Sequence, residues 1–244
     1  ISERMYLVQG YETDLYPAGV HLRGLANRTY MPTGDIQFLT ISRWCQKWLK
    51  EKYGQDAAFA PNGLNFKEFN YVERKLNGKI RILIEGDSSS PHKNVDEAFL
   101  ITNKLDSSKY EIWYMSYNAK PKEWYRVDKF LHRVPYEEVQ KVYAECDILL
   151  KTSLLESFSY PPIEMMATGG YVVALLNDGN KEYLEDGKNC LIYPKEGVEQ
   201  AVQCIERIIC DSNLQNVLYT NGVKTARSRD WDTIKDSIIY TYCS

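Results

Sequence analysis

Apolar and polar positions along the chain follow two rhythms. Met5 to Gln9 and Ile36 to Ile41 are strand-like apolar runs, and the second passes through Ser42 into a stretch that puts Trp44, Trp48 and Leu49 on one helical face. Ala57 to Ala60 then runs into the turn cluster Pro61-Asn62-Gly63-Leu64-Asn65. Two or three strands and one good helix form a poor free-standing core, so residues 1–64 read as an incomplete α/β portion, the tail end of an N-terminal domain. The polar stretch 65–78 reads as a linker.

From Lys79 the rhythm changes to strands alternating with helices. Apolar runs at Arg81–Ile84, Tyr110–Met115, Phe130–Val134, Ile148–Leu150, Tyr171–Leu176 and Cys190–Tyr193 predict strands. Periodic stretches predict helices over Asn94–Leu105, Tyr136–Glu145, from Pro161, and over Val198–Ile209 and Asn213–Ala226. The alternation implies a doubly wound, Rossmann-like parallel sheet, an α/β domain over residues 79–226. Trp231, Ile234, Ile238 and Ile239 make residues 227–244 a terminal helix.

Composition narrows the function classes. A net charge of −3 argues against non-specific nucleic-acid binding, and 44% hydrophobic residues suffice for a core. No apolar run approaches the roughly 20 residues of a membrane span, and no cleavable signal opens the chain. The six cysteines are dispersed, with no C-x2-C spacing, so neither a zinc site nor a disulfide framework is suggested and a reducing cytoplasm fits best. The 19 tyrosines read as amphipathic packing residues in preference to a sugar-stacking surface. His21, His92 and His132 have no partners in the pattern and read as surface residues.

Chemistry concentrates in Leu154–Leu176. Glu156 and Glu164 flank a loop of small and aromatic residues ending in Pro161-Pro162, where prolines suit the first turn of a helix. Free N–H groups at such an N-terminus suit an anion, either a ligand phosphate or the carboxylates themselves. The plain structural reading is that Glu164 complements the helix dipole and Glu156 is a solvated loop residue. The loop Gly86-Asp87-Ser88-Ser89-Ser90 follows the first strand of the sheet and can border the same crevice, at the C-terminal strand ends.

Glu156-x7-Glu164, followed by Met166, Gly169, Val172 and Val173, resembles the E-x7-E signature of the family 4 nucleotide-sugar glycosyltransferases of the GT-B class. Collinear stretches carry the same resemblance: Pro61-Asn62-Gly63-Leu64-Asn65, Lys93-Asn94, Tyr136-Glu137-Glu138-Val139, and Glu185-Asp186-Gly187-Lys188-Asn189. Val8 to Glu12, Ser42-Arg43-Trp44 and Ser159 to Met165 look like a rhamnosyltransferase-like branch, which would imply a dTDP-rhamnose donor.

The resemblance implies a donor site for a nucleoside diphosphate sugar. In it Glu164 would accept hydrogen bonds from ribose hydroxyls and Glu156 would face the anomeric centre as the catalytic carboxylate. Lys93 would neutralise the diphosphate, and the backbone of Ser157, Phe158 and Ser159 would hold sugar and phosphate oxygens. It also implies retention of anomeric configuration without an essential metal or other cofactor, a glycan or polysaccharide acceptor, and a terminal helix that crosses back onto the N-terminal portion. The expected setting is the cytoplasm, with peripheral contact at the inner face of a membrane and self-association or a partner chain through the N-terminal portion as further options.

Two departures support an alternative of another class, a non-catalytic GT-B subunit that partners an active transferase. Ser157-Phe158-Ser159 stands where the family has G-F-G, and Asp87 stands where it often has an arginine. The missing half of the diphosphate clamp would then come from Lys151 or Arg126.

Overall fold

The computed structural model describes residues 4–32 and 34–243. Two parallel sheets organise it. The first has the order β1-β2-β3, from Met5–Val8, Gln37–Thr40 and Ala57–Phe59. Helix α1 (His21–Arg28) precedes β2 and α2 (Arg43–Tyr53) follows it. Ser42 caps α2 by accepting from the Cys45 N–H at 3.2 Å, and Gly54 ends it in the left-handed conformation, with φ 68°. The core on this sheet is aromatic: Tyr11, Tyr30, Phe38 and Trp48 are buried in mutual ring contact with Tyr6, Trp44 and Tyr53. The tyrosines of this region therefore pack.

The second sheet has six strands, β4 (Ile80–Glu85), β5 (Tyr110–Ser116), β6 (Lys129–His132), β7 (Ile148–Lys151), β8 (Tyr171–Leu175) and β9 (Leu191–Tyr193). All pairs are parallel, in the order β6-β5-β4-β7-β8-β9. The period-2 alternation of strands divides the apolar residues between two cores. Ile82, Ile84, Ile148, Leu150 and Val173 face α3 (Val95–Thr102) and α6 (Val198–Cys210); Leu83, Leu149, Val172 and Ala174 face α4 (Tyr136–Glu145) and α5 (Tyr160–Ala167). Burial on both faces is why these strands read as unbroken apolar runs. Helix α7 (Ser212–Arg227) packs on α5.

The chain proceeds outward from β4 to β6, then returns to add β7 on the other side of β4. The switch point lies between β4 and β7, and their C-terminal ends open the crevice in which such sheets bind ligands.

Three sequence expectations need correction. Helix α1 was not foreseen: none of its residues is buried, Leu22 and Leu25 are exposed, and Gly24 interrupts it, so it lacks an inward stripe. Residues 65–78 are a docked strap rather than a loose linker. Phe69 is buried, the Val72 N–H donates to Thr168 O, and the Arg74 guanidinium donates to the carbonyls of Cys146, Val72, Thr168 and Tyr143 and to Thr168 Oγ1, all at 2.6–3.0 Å. A guanidinium with five donors can gather this many acceptors, and no periodicity announces it. Finally, α5 begins at Tyr160, one residue before the prolines, which places Glu164 past the first turn.

Helix α8 (Trp231–Cys243) lies against the first sheet's side of the molecule. The Trp231 N–H donates to Leu64 O at 3.0 Å, the Thr241 hydroxyl to Phe59 O at 3.5 Å, and Gly63 sits against Ile234 and Trp231.

Candidate functional site

The loop after β4 and the loop after β7 are tied together across the switch point. The Leu154 N–H donates to His92 O at 2.8 Å, and the Thr152 hydroxyl donates to Asn94 O at 2.9 Å. Asn94, at φ 50°, takes a left-handed turn that asparagine tolerates, and this directs Lys93 back over the strand ends. Lys93 Nζ meets Glu156 Oε1 at 2.8 Å.

Beneath this pair lies Lys151, the last residue of β7, with 1% of its side chain exposed. Its ammonium bonds a carboxylate oxygen of Glu85, the last residue of β4, and stands 3.6 Å from Glu156 Oε1. Burial works against the Lys151 charge, but Glu85 and then Glu156 more than offset it and raise the group above the ordinary lysine range. Burial likewise disfavours ionised Glu156, yet the charges of Lys151 and then Lys93 hold its carboxyl below the usual range. Glu156 is an ionised carboxylate with 15% of its side chain exposed.

Glu164 is different. Burial pushes its carboxyl up to about 7, against a hydrogen bond from Tyr143 and with Glu85 adding repulsion. It sits where a proton is exchanged near neutrality.

Three adjoining cavities follow this constellation. One of about 240 Å³ is lined by Glu85, Gly86, Asp87, Lys93, Ser116, Tyr117, Val134 and Val139. A second of about 260 Å³ shares Val139 and adds Phe69, Tyr136, Gln140 and Glu164. A third of about 580 Å³ shares Glu164 and Tyr136 and extends to Gly63, Leu64, Tyr160 and Trp231. Lys93 and Glu164 thus belong to one groove, while Lys151 lies behind its wall.

The Ser157-Phe158-Ser159 loop is shaped by close approaches. Gly10, just after β1, faces Ser157, and a Cβ there would stand 2.8 Å from the serine Oγ. The first sheet therefore abuts the loop, and the Trp44 N–H donates to Glu182 at 2.9 Å across the same boundary. Gly179 lies under the loop, where a Cβ would be 2.4 Å from Glu156 O. The Phe158 ring is core, with Tyr160 and Tyr183 against it. Ser159 caps α5 with φ 59°, a left-handed conformation that suits the family's glycine and strains a serine. Among the described residues, the N–H groups of Ser157, Phe158 and Ser159 donate to no protein acceptor.

The structure thus places Lys93 and Glu164 along one groove and Glu156 against Lys93, while Ser157 and Ser159 follow Glu156 in its loop without lining the three cavities and the Phe158 side chain lies in the core. Asp87 lines the crevice, but its carboxylate accepts from Ser116 Oγ, the Asn118 N–H and side chain, and the Ala119 N–H. Burial alone would raise its carboxyl, and those bonds hold it below the usual range. Arg126 is no part of the site, since its guanidinium donates to Leu105 O at 2.6 Å. His92 is not a free surface residue either: it is half-buried beside Lys93, and burial followed by the Lys93 charge lowers its pKa. Glu85 and Gly179 escaped sequence reasoning. The one available signal for the buried charges was a lysine closing the apolar run Ile148–Leu150.

Comparison with known proteins bears on the fold. Residues 125–225 match the family model for glycosyl transferases group 1. The chain is 24% identical over 214 residues to an uncharacterised glycosyltransferase of Methanocaldococcus jannaschii, covering 83% of this chain and 58% of that protein. It is 27% identical over 148 residues to the O-antigen chain mannosyltransferase RfbU of Salmonella typhimurium, covering 55% of this chain and 40% of the relative. The chain thus spans roughly half the length of these relatives. Among solved structures, Anabaena HepE in complex with UDP-glucose superimposes with a TM-score of 0.81 at 17% identity, covering 99% of this chain and 72% of HepE. The match over residues 125–225 supports a relation to the group 1 glycosyl transferases, and the chain has the GT-B fold.

Proposed function

We propose that the groove at the β4–β7 switch point binds a nucleoside diphosphate sugar, and that the protein transfers the sugar, with retention, to a glycan or polysaccharide acceptor. The observation that carries this reading is the Lys93–Glu156 pair, a cation and an ionised carboxylate held at 2.8 Å over the strand ends and continuous with the cavity that reaches Glu164.

Each residue has a role its chemistry supports. Lys93 is the exposed member of the two lysines and can turn to a diphosphate, neutralising the leaving group. Glu156 offers negative charge to the positive charge that develops at the anomeric carbon as its bond to the diphosphate oxygen lengthens. Glu164 can accept from two ribose hydroxyls at once when ionised. The N–H groups of Ser157 to Ser159 supply donors to phosphate or sugar oxygens. The relatives support the substrate class, since HepE forms a complex with UDP-glucose and RfbU is an O-antigen chain mannosyltransferase. Asp87 is held by four hydrogen bonds that turn its carboxylate to Ser116, Asn118 and Ala119.

A thermal-shift titration with UDP, dTDP and GDP and their sugars tests the proposal. A ligand that binds only the folded chain raises Tm with the logarithm of its saturation. Stabilisation by one base series supports it and names the base; dTDP and dTDP-rhamnose would favour the rhamnosyltransferase-like branch. A flat response to all of them would overturn it.

A further inference from the structure

We propose that Lys151 is a positioning residue that keeps Glu156 ionised when Lys93 turns away to the donor diphosphate, an inference that rests on the donor-site reading above. Two lysines address one carboxylate oxygen. Lys93 Nζ is 2.8 Å from Glu156 Oε1, its side chain is 25% exposed, and it lines the cavity. Lys151 Nζ is 3.6 Å from the same oxygen, its side chain is 1% exposed, and it lies outside the lining. One cation is free to move and the other is fixed.

The fixed one has a consequence that Lys93 alone would not provide. A diphosphate carries at least two negative charges and draws the exposed lysine. Glu156 is then a largely buried carboxylate that has lost its nearest counter-charge, and such a group takes up a proton. A neutral Glu156 offers nothing to a cationic anomeric centre. Lys151 cannot follow the phosphate, because Glu85 holds its ammonium from the β4 side. Two carboxylates then share one ammonium, which leaves a net negative charge facing the sugar.

The surroundings of Glu156 leave this task to Lys151. From the loop after β4 it faces His92 and Lys93; from β7, Lys151 and, through it, Glu85; from its own loop, the Ser153 hydroxyl; and from the segment after β8, the Tyr183 phenol. Burial is the main cause that lowers the His92 pKa, and Lys151 adds to it when Lys93 has turned away, so His92 is a poor cation there at neutral pH. Lys151 is the remaining permanent positive charge among these groups.

The test needs no ligand. Removing Lys93 imitates its diversion, and replacing Lys151 together with Glu85 avoids leaving either charge buried alone. The Glu156 carboxyl, assigned with Glu156→Gln, would be titrated by carbon NMR in full-length wild type, Lys93→Met, and Lys93→Met/Lys151→Met/Glu85→Gln, with amide spectra confirming the fold. The proposal expects Glu156 to remain ionised at pH 7 in Lys93→Met and to titrate about one to three units higher in the triple variant. A rise in Lys93→Met as large as in the triple variant would overturn it and leave Lys151 as a partner of Glu85 alone. Should the triple variant not fold, Lys93→Met alone decides: an ionised Glu156 supports the proposal and a protonated one refutes it. Calorimetric titration of the wild type with UDP, dTDP and GDP tests the underlying reading separately. Absence of any binding sinks the donor site, whereas the NMR result reports the Lys151–Glu156 coupling whatever the ligand.

Discussion

Replacing Glu164 by glutamine separates a ligand-binding carboxylate from one that serves the helix. The folded chain holds this carboxyl at about 7 against an ordinary 4.5. A carboxyl whose folded pKa is raised binds more protons in the folded chain, so its stabilising contribution is complete below about 4.5 and is lost as pH rises through about 7. At about 1.4 kcal/mol per unit, the ionised form costs the fold on the order of 3 kcal/mol at pH 8. Glutamine keeps the shape without the charge. Glu164→Gln should therefore raise Tm by roughly 6–12 °C at pH 8 and leave it nearly unchanged at pH 4.5. The same change removes charge-assisted hydrogen bonds to ribose, each about 1.5–3 kcal/mol, so affinity for the nucleoside diphosphate should fall by roughly one to two decades. Stability and affinity would move in opposite directions. Scanning calorimetry at the two pH values and titration calorimetry with the nucleotide read both. If Glu164 instead served the helix dipole, glutamine would lower stability by about 0.3–1 kcal/mol at pH 8 and leave affinity alone; that result would refute the reasoning. Its place past the first turn of α5 already argues against the dipole.

Further expectations follow from the same geometry. Because only ionised Glu164 accepts through both oxygens with the strength of a charge, nucleotide affinity should fall as pH drops below about 7, by up to about one decade per unit, measurable by calorimetry from pH 8 to 5. Lys93→Met should weaken a nucleoside diphosphate by roughly one to two decades and the free nucleoside hardly at all, which equilibrium titration of both would show. Ser159→Gly should relieve a left-handed serine and stabilise the chain by about 1 kcal/mol in urea unfolding; a loss would mean that the hydroxyl matters more than the backbone. Gly179→Ala should displace the Glu156 loop, since its Cβ would fall 2.4 Å from Glu156 O, and nucleotide affinity should drop with it.

Most of the second sheet was legible in the sequence because its strands are buried on both faces and its helices carry single apolar stripes. Ile80–Glu85, Ile148–Lys151 and Tyr171–Leu175 could be placed within a residue or two for that reason. Helix α1 could not, since tertiary contact buries none of it. The strap was illegible because its anchor is a single arginine, Arg74, whose partners are backbone carbonyls distant in sequence. In the site, the two glutamates and Lys93 stood out by spacing and resemblance. The charge ordering behind them did not, because Glu85 and Lys151 end adjacent strands that are 66 positions apart in the chain. Their pairing exists only once β4 and β7 are neighbours.

A nucleoside diphosphate is proposed to occupy the groove from Gly86 to Glu164. The most direct measurement is a map of backbone amide shifts in the labelled chain during titration with UDP, or with dTDP or GDP should one of those bind more tightly. The account predicts that the largest changes fall at Gly86, Lys93, Val139, Ser157 to Ser159 and Glu164. Changes confined to the polar hollow between Tyr71–Arg74 and Ser212–Tyr219, or absent at saturating nucleotide, would contradict it.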